Sequence, residues 1–150
     1  MRTKSFLALI SLLAFSGTAF ADLEPYKDYD VSVAVWSVST IRVDPNMGDA
    51  YLEGIERTWV ASNEVSKKLG HIESYSIFRS ISPQSGDFNL LLVVKFANTE
   101  DLAPNKERYD AFMKEMGEAT SNEATEYSQK NYPAIRTITG EYLMREVTLK

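Results

Sequence analysis

One histidine and no cysteine leave few ways for this chain to do chemistry, and they narrow the choice before any fold is considered. A zinc site needs three or four Cys, His or carboxylate ligands, and here His71 would have to lean on scattered acids. Neither a metal nor a cofactor is therefore expected. His71 follows Gly70 at a helix exit, where an imidazolium would favour the helix C-terminal dipole, so it reads as a capping or solvent residue. The alternative role is a catalytic base. Met113 and Met116 could hold a soft metal, but at three-residue spacing in an amphipathic stripe they read as core filler. Nucleophilic catalysis lacks both a G-x-S-x-G turn and a cysteine, and the dispersed glycines form no phosphate-cradling loop. What remains is a set of cations, Arg42, Arg79, Lys95 and Arg145, mixed with the aromatic side chains of Trp36 and Tyr75. Such a set suits salt bridges, or a small aromatic or anionic ligand held by Trp36, Tyr75, Arg79 and Lys95. If the protein is an enzyme, His71, Tyr75 and Arg79 are its candidate catalytic residues.

The elements that position these residues are legible from periodicity. Residues 31–43, rich in Val, Ile, Ser and Thr, predict a strand. Asp44-Pro45 then predicts a helix entry, and Tyr51, Leu52, Ile55, Trp59, Ser62, Ser66 and Leu69 predict one helix face ending at Gly70. Glu53–Arg57 and Glu64–Lys68 are spaced as i,i+4 pairs on its outer side. Residues 71–82 and 87–97 predict a hairpin around 82–86. Tyr109, Phe112, Met113 and Met116 open a second helix that reaches Asn131, with Gly117 as a point of interruption. Residues 135–149 predict a last strand, with Gly140 as a bulge or close-approach point. The order β-α-β-β-α-β predicts an α+β ferredoxin-like fold: a four-stranded antiparallel sheet with two helices on one face and the first and third strands central.

Helices on one face leave the other uncovered. Alternation places Phe88, Leu90, Leu92, Val94 and Phe96 of the third strand, with Val31, Val33, Val35, Ile41 and Val43 of the first, under the helices. The open face is then expected to carry Trp36, Val38, Arg42, Leu91, Val93 and Lys95. Continued by the same parity, it takes Tyr75, Ile77, Arg79 and Ile81 from the second strand and Leu143, Arg145 and Val147 from the fourth. That much contiguous apolar surface calls for a cover, and the simplest is a second copy packed sheet against sheet.

The element order, the stretch from Trp59 through Lys68-Leu69-Gly70 to Ser74-Tyr75, and the hairpin strand ending Val93-Val94-Lys95-Phe96 resemble the dimeric α/β-barrel superfamily. The resemblance covers residues 31–149. It implies a homodimer with a pocket near each sheet, in a family that includes cofactor-independent monooxygenases, haem-degrading oxygenases, small isomerases and proteins without a known reaction. The haem-degrading members use an Asn, a Trp and a helical His ligand. This chain has Trp36, Trp59 and Asn63, but its His71 lies beyond the first helix, which departs from that pattern.

Ahead of the domain, residues 1–21 carry Arg2 and Lys4, a ten-residue apolar run from Phe6 to Phe15, and the small-x-small triplet Ala19-Phe20-Ala21. This is the pattern of a secretory signal peptide cleaved after Ala21, and the run is half the roughly twenty residues a spanning helix needs. A periplasmic or secreted protein without a membrane anchor is expected, with residues 22–30 as an N-terminal arm and 31–150 as the domain. Residues 1–21 hold two of the 16 Lys and Arg and none of the 21 Asp and Glu, so their removal takes the formal net charge from −5 to −7. That charge argues against duplex nucleic acid or an anionic membrane as partner. A homodimer binding a small molecule, or an interaction module, is the leading expectation. A cofactor-independent monooxygenase or isomerase is the rival.

Overall fold

A computed structural model describes residues 22–82 and 86–150; the expected signal peptide and the centre of the hairpin turn fall outside the described residues. Among the described residues the strands and α-helices follow in the order β1 (Tyr29–Val31), β2 (Val35–Val43), α1 (Gly48–Ile55), α2 (Ala61–Lys68), β3 (Ser74–Arg79), β4 (Leu90–Phe96), α3 (Lys106–Met116), α4 (Glu118–Asn131), β5 (Arg136–Met144) and β6 (Val147–Leu149). The main sheet is antiparallel in the order β3-β4-β2-β5, with β4 and β2 central. This is the expected ferredoxin-like α+β arrangement.

The two terminal strands are shorter than expected because each breaks opposite the other. Ser32-Val33-Ala34 separates β1 from β2, Arg145-Glu146 separates β5 from β6, and β1 pairs with β6 in a separate two-stranded ribbon. The Arg145 guanidinium sits at the break, donating to the carbonyls of Ser32 and Val33, both at 2.8 Å, and to Thr99 Oγ1 at 2.9 Å. The ribbon ties the N-terminal arm to the chain end, where Lys150 reaches Asp30 at 2.9 Å.

The first helix starts later than the sequence suggests. Asp44 to Met47 form a turn, with Met47 N–H donating to Asp44 O at 3.1 Å and Asn46 at φ +66°, so Asp44 does not cap the helix. Glu56–Val60 joins α1 to α2 as a π-turn, in which the Ala61 amide reaches back five residues to Glu56 O. The expected i,i+4 ion pairs do not form. Arg57 instead lies over the Tyr127 ring, Glu64 accepts from Tyr75, and Lys68 pairs with Glu115. Gly70, at φ +70°, ends the helix as expected, with His71 N–H donating to Ser66 O at 2.8 Å. Gly117, at φ +81°, likewise separates α3 from α4.

The core lies between the helices and one sheet face, around Ile41, Val43, Tyr51, Ile55, Leu90, Leu92 and Tyr132. Even residues of β4 and odd residues of β2 face it, as expected, although Val33 falls in the break and is exposed. The parity expected for the two outer strands is corrected. β3 pairs Ser74 with Lys95 and Ile77 with Leu92, which turns Tyr75, Ile77 and Arg79 toward the helices and Ser76 and Phe78 toward the open face. In β5 a bulge opposite Thr40/Ile41 shifts the register, and Trp36 pairs with Met144 and Val38 with Tyr142. Leu143, opposite Ser37, is on the helix side, while Arg145 and Val147 lie beyond the sheet. Gly140 is the expected close approach, since a Cβ there would meet the Tyr142 hydroxyl at 2.6 Å.

Candidate functional site

The residues singled out in the sequence do not meet in one place. Trp36 and Lys95 are cross-strand partners on the open face, where the Lys95 ammonium lies 5.2 Å from the Trp36 ring and pairs with Glu73 at 2.7 Å. Tyr75 is on the other face, edge-on to Trp59 at 5.3 Å, and donates to the Glu64 carboxylate, which raises its pKa. Arg79 reaches Asp49 beside the start of α1, at 3.5 Å. His71 borders a separate cavity of about 340 Å³ with Arg108 and Asp101. Burial first and the Arg108 charge second lower its pKa, which disfavours the imidazolium that would pair with the helix dipole.

The more telling arrangement is one the sequence did not single out. A cavity of about 380 Å³ opens between the long first helix, α4 and the sheet, walled by Ile55, Thr58, Trp59, Leu92 and Tyr51, and by Ser121, Thr125, Ser128, Tyr132 and Arg136. Arg136 also borders a second cavity of about 290 Å³ beside Gln129 and Pro133. It is the first residue of β5, paired with buried Val43, so its side chain rises from the sheet toward the helices. Its guanidinium carbon lies 5.2 Å from the Tyr132 ring centroid and 5.8 Å from that of Tyr51. Among the described residues no ion pair or side-chain hydrogen bond engages it, and its Nε is buried without a partner.

Local structure builds this wall of tyrosines. Tyr132 enters from a 3-10 turn, Tyr132–Ala134, that closes α4 at Pro133. Its ring meets Tyr51 at 5.3 Å and Tyr127 at 5.9 Å, both edge-on. Gly54 leaves room for it, because a Cβ there would stand 2.9 Å from Tyr132 Cε1 and 3.1 Å from Tyr127 Cε1. The π-turn brings buried Thr58 to the same spot. Its hydroxyl donates to Gly54 O at 3.1 Å, so in its contact with the Tyr132 hydroxyl the tyrosine is the donor. Burial pushes the Tyr51 pKa up to about 12, partly offset by Arg136.

A cavity with a fixed, unpaired cation between aromatic rings can bind a small anion. It is poorly equipped for proton abstraction, since no carboxylate or imidazole is among its lining residues and Tyr51 keeps its proton to high pH. A more voluminous cavity, about 720 Å³ beside Arg42, Asp49 and Arg79, is less suited to a ligand. Its cations are already engaged, Arg42 with Asp87 O at 3.0 Å and Arg79 with Asp49. Among the described residues no three His, Cys, Asp or Glu side chains are placed to share a metal ion, and no helix is long and apolar enough to cross a membrane.

No protein-family model and no curated protein matches the sequence. Solved structures do. HapK from Hahella chejuensis matches with a TM-score of 0.45 at 13% identity, over 75% of this chain and 91% of that one. A dimeric protein of unknown function and ferredoxin-like fold from Bacteroides fragilis matches at 0.43 and 11%, over 81% and 100%. An uncharacterised NIPSNAP-like domain protein from Burkholderia xenovorans matches at 0.43 and 16%, over 79% and 85%. The similarity is one of fold.

Proposed function

We propose that this chain is an exported, homodimeric binding protein for a small molecule, with one site per subunit in the cavity between helices and sheet. The observation that carries the binding role is Arg136: an unpaired guanidinium with a buried, unpartnered Nε at the edge of a cavity large enough for a ligand. A buried N–H so placed is costly unless an acceptor completes it, and beside a guanidinium charge an anionic acceptor does so best. The charged, apolar and small-x-small order of residues 1–21 supports export to a periplasm or the outside.

The open sheet face supports the dimer, with a membership different from the one expected. Trp36, Val38, Leu91 and Val93 remain, joined by Phe78, Tyr142 and Met144, and these last three are each more than half exposed. The Lys95–Glu73 pair on the same surface carries both signs, as a surface that meets its own copy requires. A catalytic role for Tyr75, Arg79 and His71 has less support, because they face three different neighbourhoods.

Native mass spectrometry of the protein purified from its own host tests the proposal. A two-chain mass carrying an additional small mass for each occupied subunit is expected. A single-chain mass overturns the dimer, and a two-chain mass with no adduct overturns a tightly held ligand.

A further inference from the structure

The walls of the cavity also define what it takes, provided that it is the binding site just proposed. We propose that the ligand is a small aromatic monocarboxylate carrying a hydrogen-bond donor at the end remote from its charge. Arg136 selects the charge. It is the one cation among the residues lining the cavity, and its donors have no protein acceptor. A carboxylate matches the planar fork of a guanidinium. A second carboxylate would lack a counter-charge, since the nearby Arg57 is stacked on the outer Tyr127 ring.

The middle of the cavity selects a flat apolar body. Ile55, Leu92 and Trp59 line the cavity together with Tyr51 and Tyr132, an apolar and aromatic lining that suits a planar group. The α4 wall selects the donor. Thr125 and Ser128 spend their hydroxyl protons on the helix itself, donating to Ser121 O at 2.9 Å and Ala124 O at 2.8 Å. Their oxygens are therefore left as acceptors for a ligand in the cavity that both residues line. Ser128 borders Arg136, while Thr125 is one turn away, about 4.5 Å along the helix axis. A carboxylate on Arg136 thus leaves the opposite edge of the ring near the Thr125 oxygen, where a ligand O–H or N–H can donate.

Isothermal titration calorimetry with three probes reads charge and donor separately: 4-hydroxybenzoate, its neutral counterpart 4-hydroxybenzamide, and benzoate, which lacks the donor. For the wild type the expected order is 4-hydroxybenzoate first, about tenfold to a hundredfold tighter than the amide, and severalfold tighter than benzoate. Arg136→Met abolishes the preference for acid over amide, lowering the acid's affinity far more than the amide's. Arg136→Lys, which keeps the charge without the fork, retains part of it. Thr125→Val removes the preference for 4-hydroxybenzoate over benzoate. Equal or tighter binding of the amide by the wild type, or an acid preference that survives Arg136→Met, overturns the ligand class while leaving a binding cavity in place. Absence of saturable heat with every probe also overturns the class, and the host-purified adduct mass then decides separately whether the cavity binds anything.

Discussion

Arg136, Tyr51, Thr58 and Gly54 are the residues on which the site depends, and each makes a separate measurable claim. Tyr51 is 1% exposed, and its pKa stands at about 12 against an ordinary 10.0. A group whose proton is held more tightly in the folded state stabilises below its unfolded pKa and loses that contribution as pH rises through the folded one. Stability should therefore fall between pH 10.0 and about 12, by up to about 1.4 kcal/mol per pH unit. Tyr51→Phe should flatten this slope in denaturant titrations at successive pH values. Thr58→Val leaves the buried Tyr132 hydroxyl without its acceptor, for an expected loss of about 1–2 kcal/mol in chemical denaturation. Gly54→Val forces Tyr132 aside and should cost about 1–3 kcal/mol. These residues were hard to read from sequence for a physical reason. Tyr51 shows in the helical spacing, but Thr58 reaches the cavity through a π-turn that breaks that spacing, and Gly54 matters only once Tyr132 arrives from 78 positions later. Arg136 begins a strand whose register depends on a bulge.

Among the elements, the two central strands were legible and the two outer ones were not. β2 and β4 carry long Val- and Leu-rich runs, so their alternation alone sets Ile41 and Leu92 inward and Trp36 and Lys95 outward. In β3 the pairing with β4 sets the faces, and of the run Ser74-Tyr75-Ser76-Ile77 it is Tyr75 and Ile77 that belong to the core side. Continuing the open face into Tyr75 and Arg79 thus assigned two candidate ligand residues to the wrong surface. In β5 the extra residue at the Thr40/Ile41 shift exchanges Leu143 for Tyr142 and Met144. This correction can be tested through the dimer. Phe78→Glu or Met144→Glu places a charge on the open face and should weaken association at least tenfold by sedimentation equilibrium. Leu143→Glu, on the helix side and 65% exposed, should leave association unchanged.

For the whole molecule, the proposed function divides the labour between the two sheet faces, with the open one for assembly and the one roofed by helices for the ligand. Placing the ligand under the helices changes the meaning of the basic and aromatic residues first noticed. On that proposal Trp36 and Lys95 belong to the assembly surface, where Lys95 is already matched by Glu73, and the cavity's cation without a protein partner is Arg136. The chain's two tryptophans report on the two faces independently, Trp36 on the open sheet and Trp59 on the cavity wall. Titrating 4-hydroxybenzoate into nitrogen-15-labelled protein while following the two indole N–H signals by NMR therefore tests the central claim most directly. A saturable shift of the Trp59 signal with Trp36 unmoved is predicted. A shift confined to Trp36, or none in either, would contradict the account.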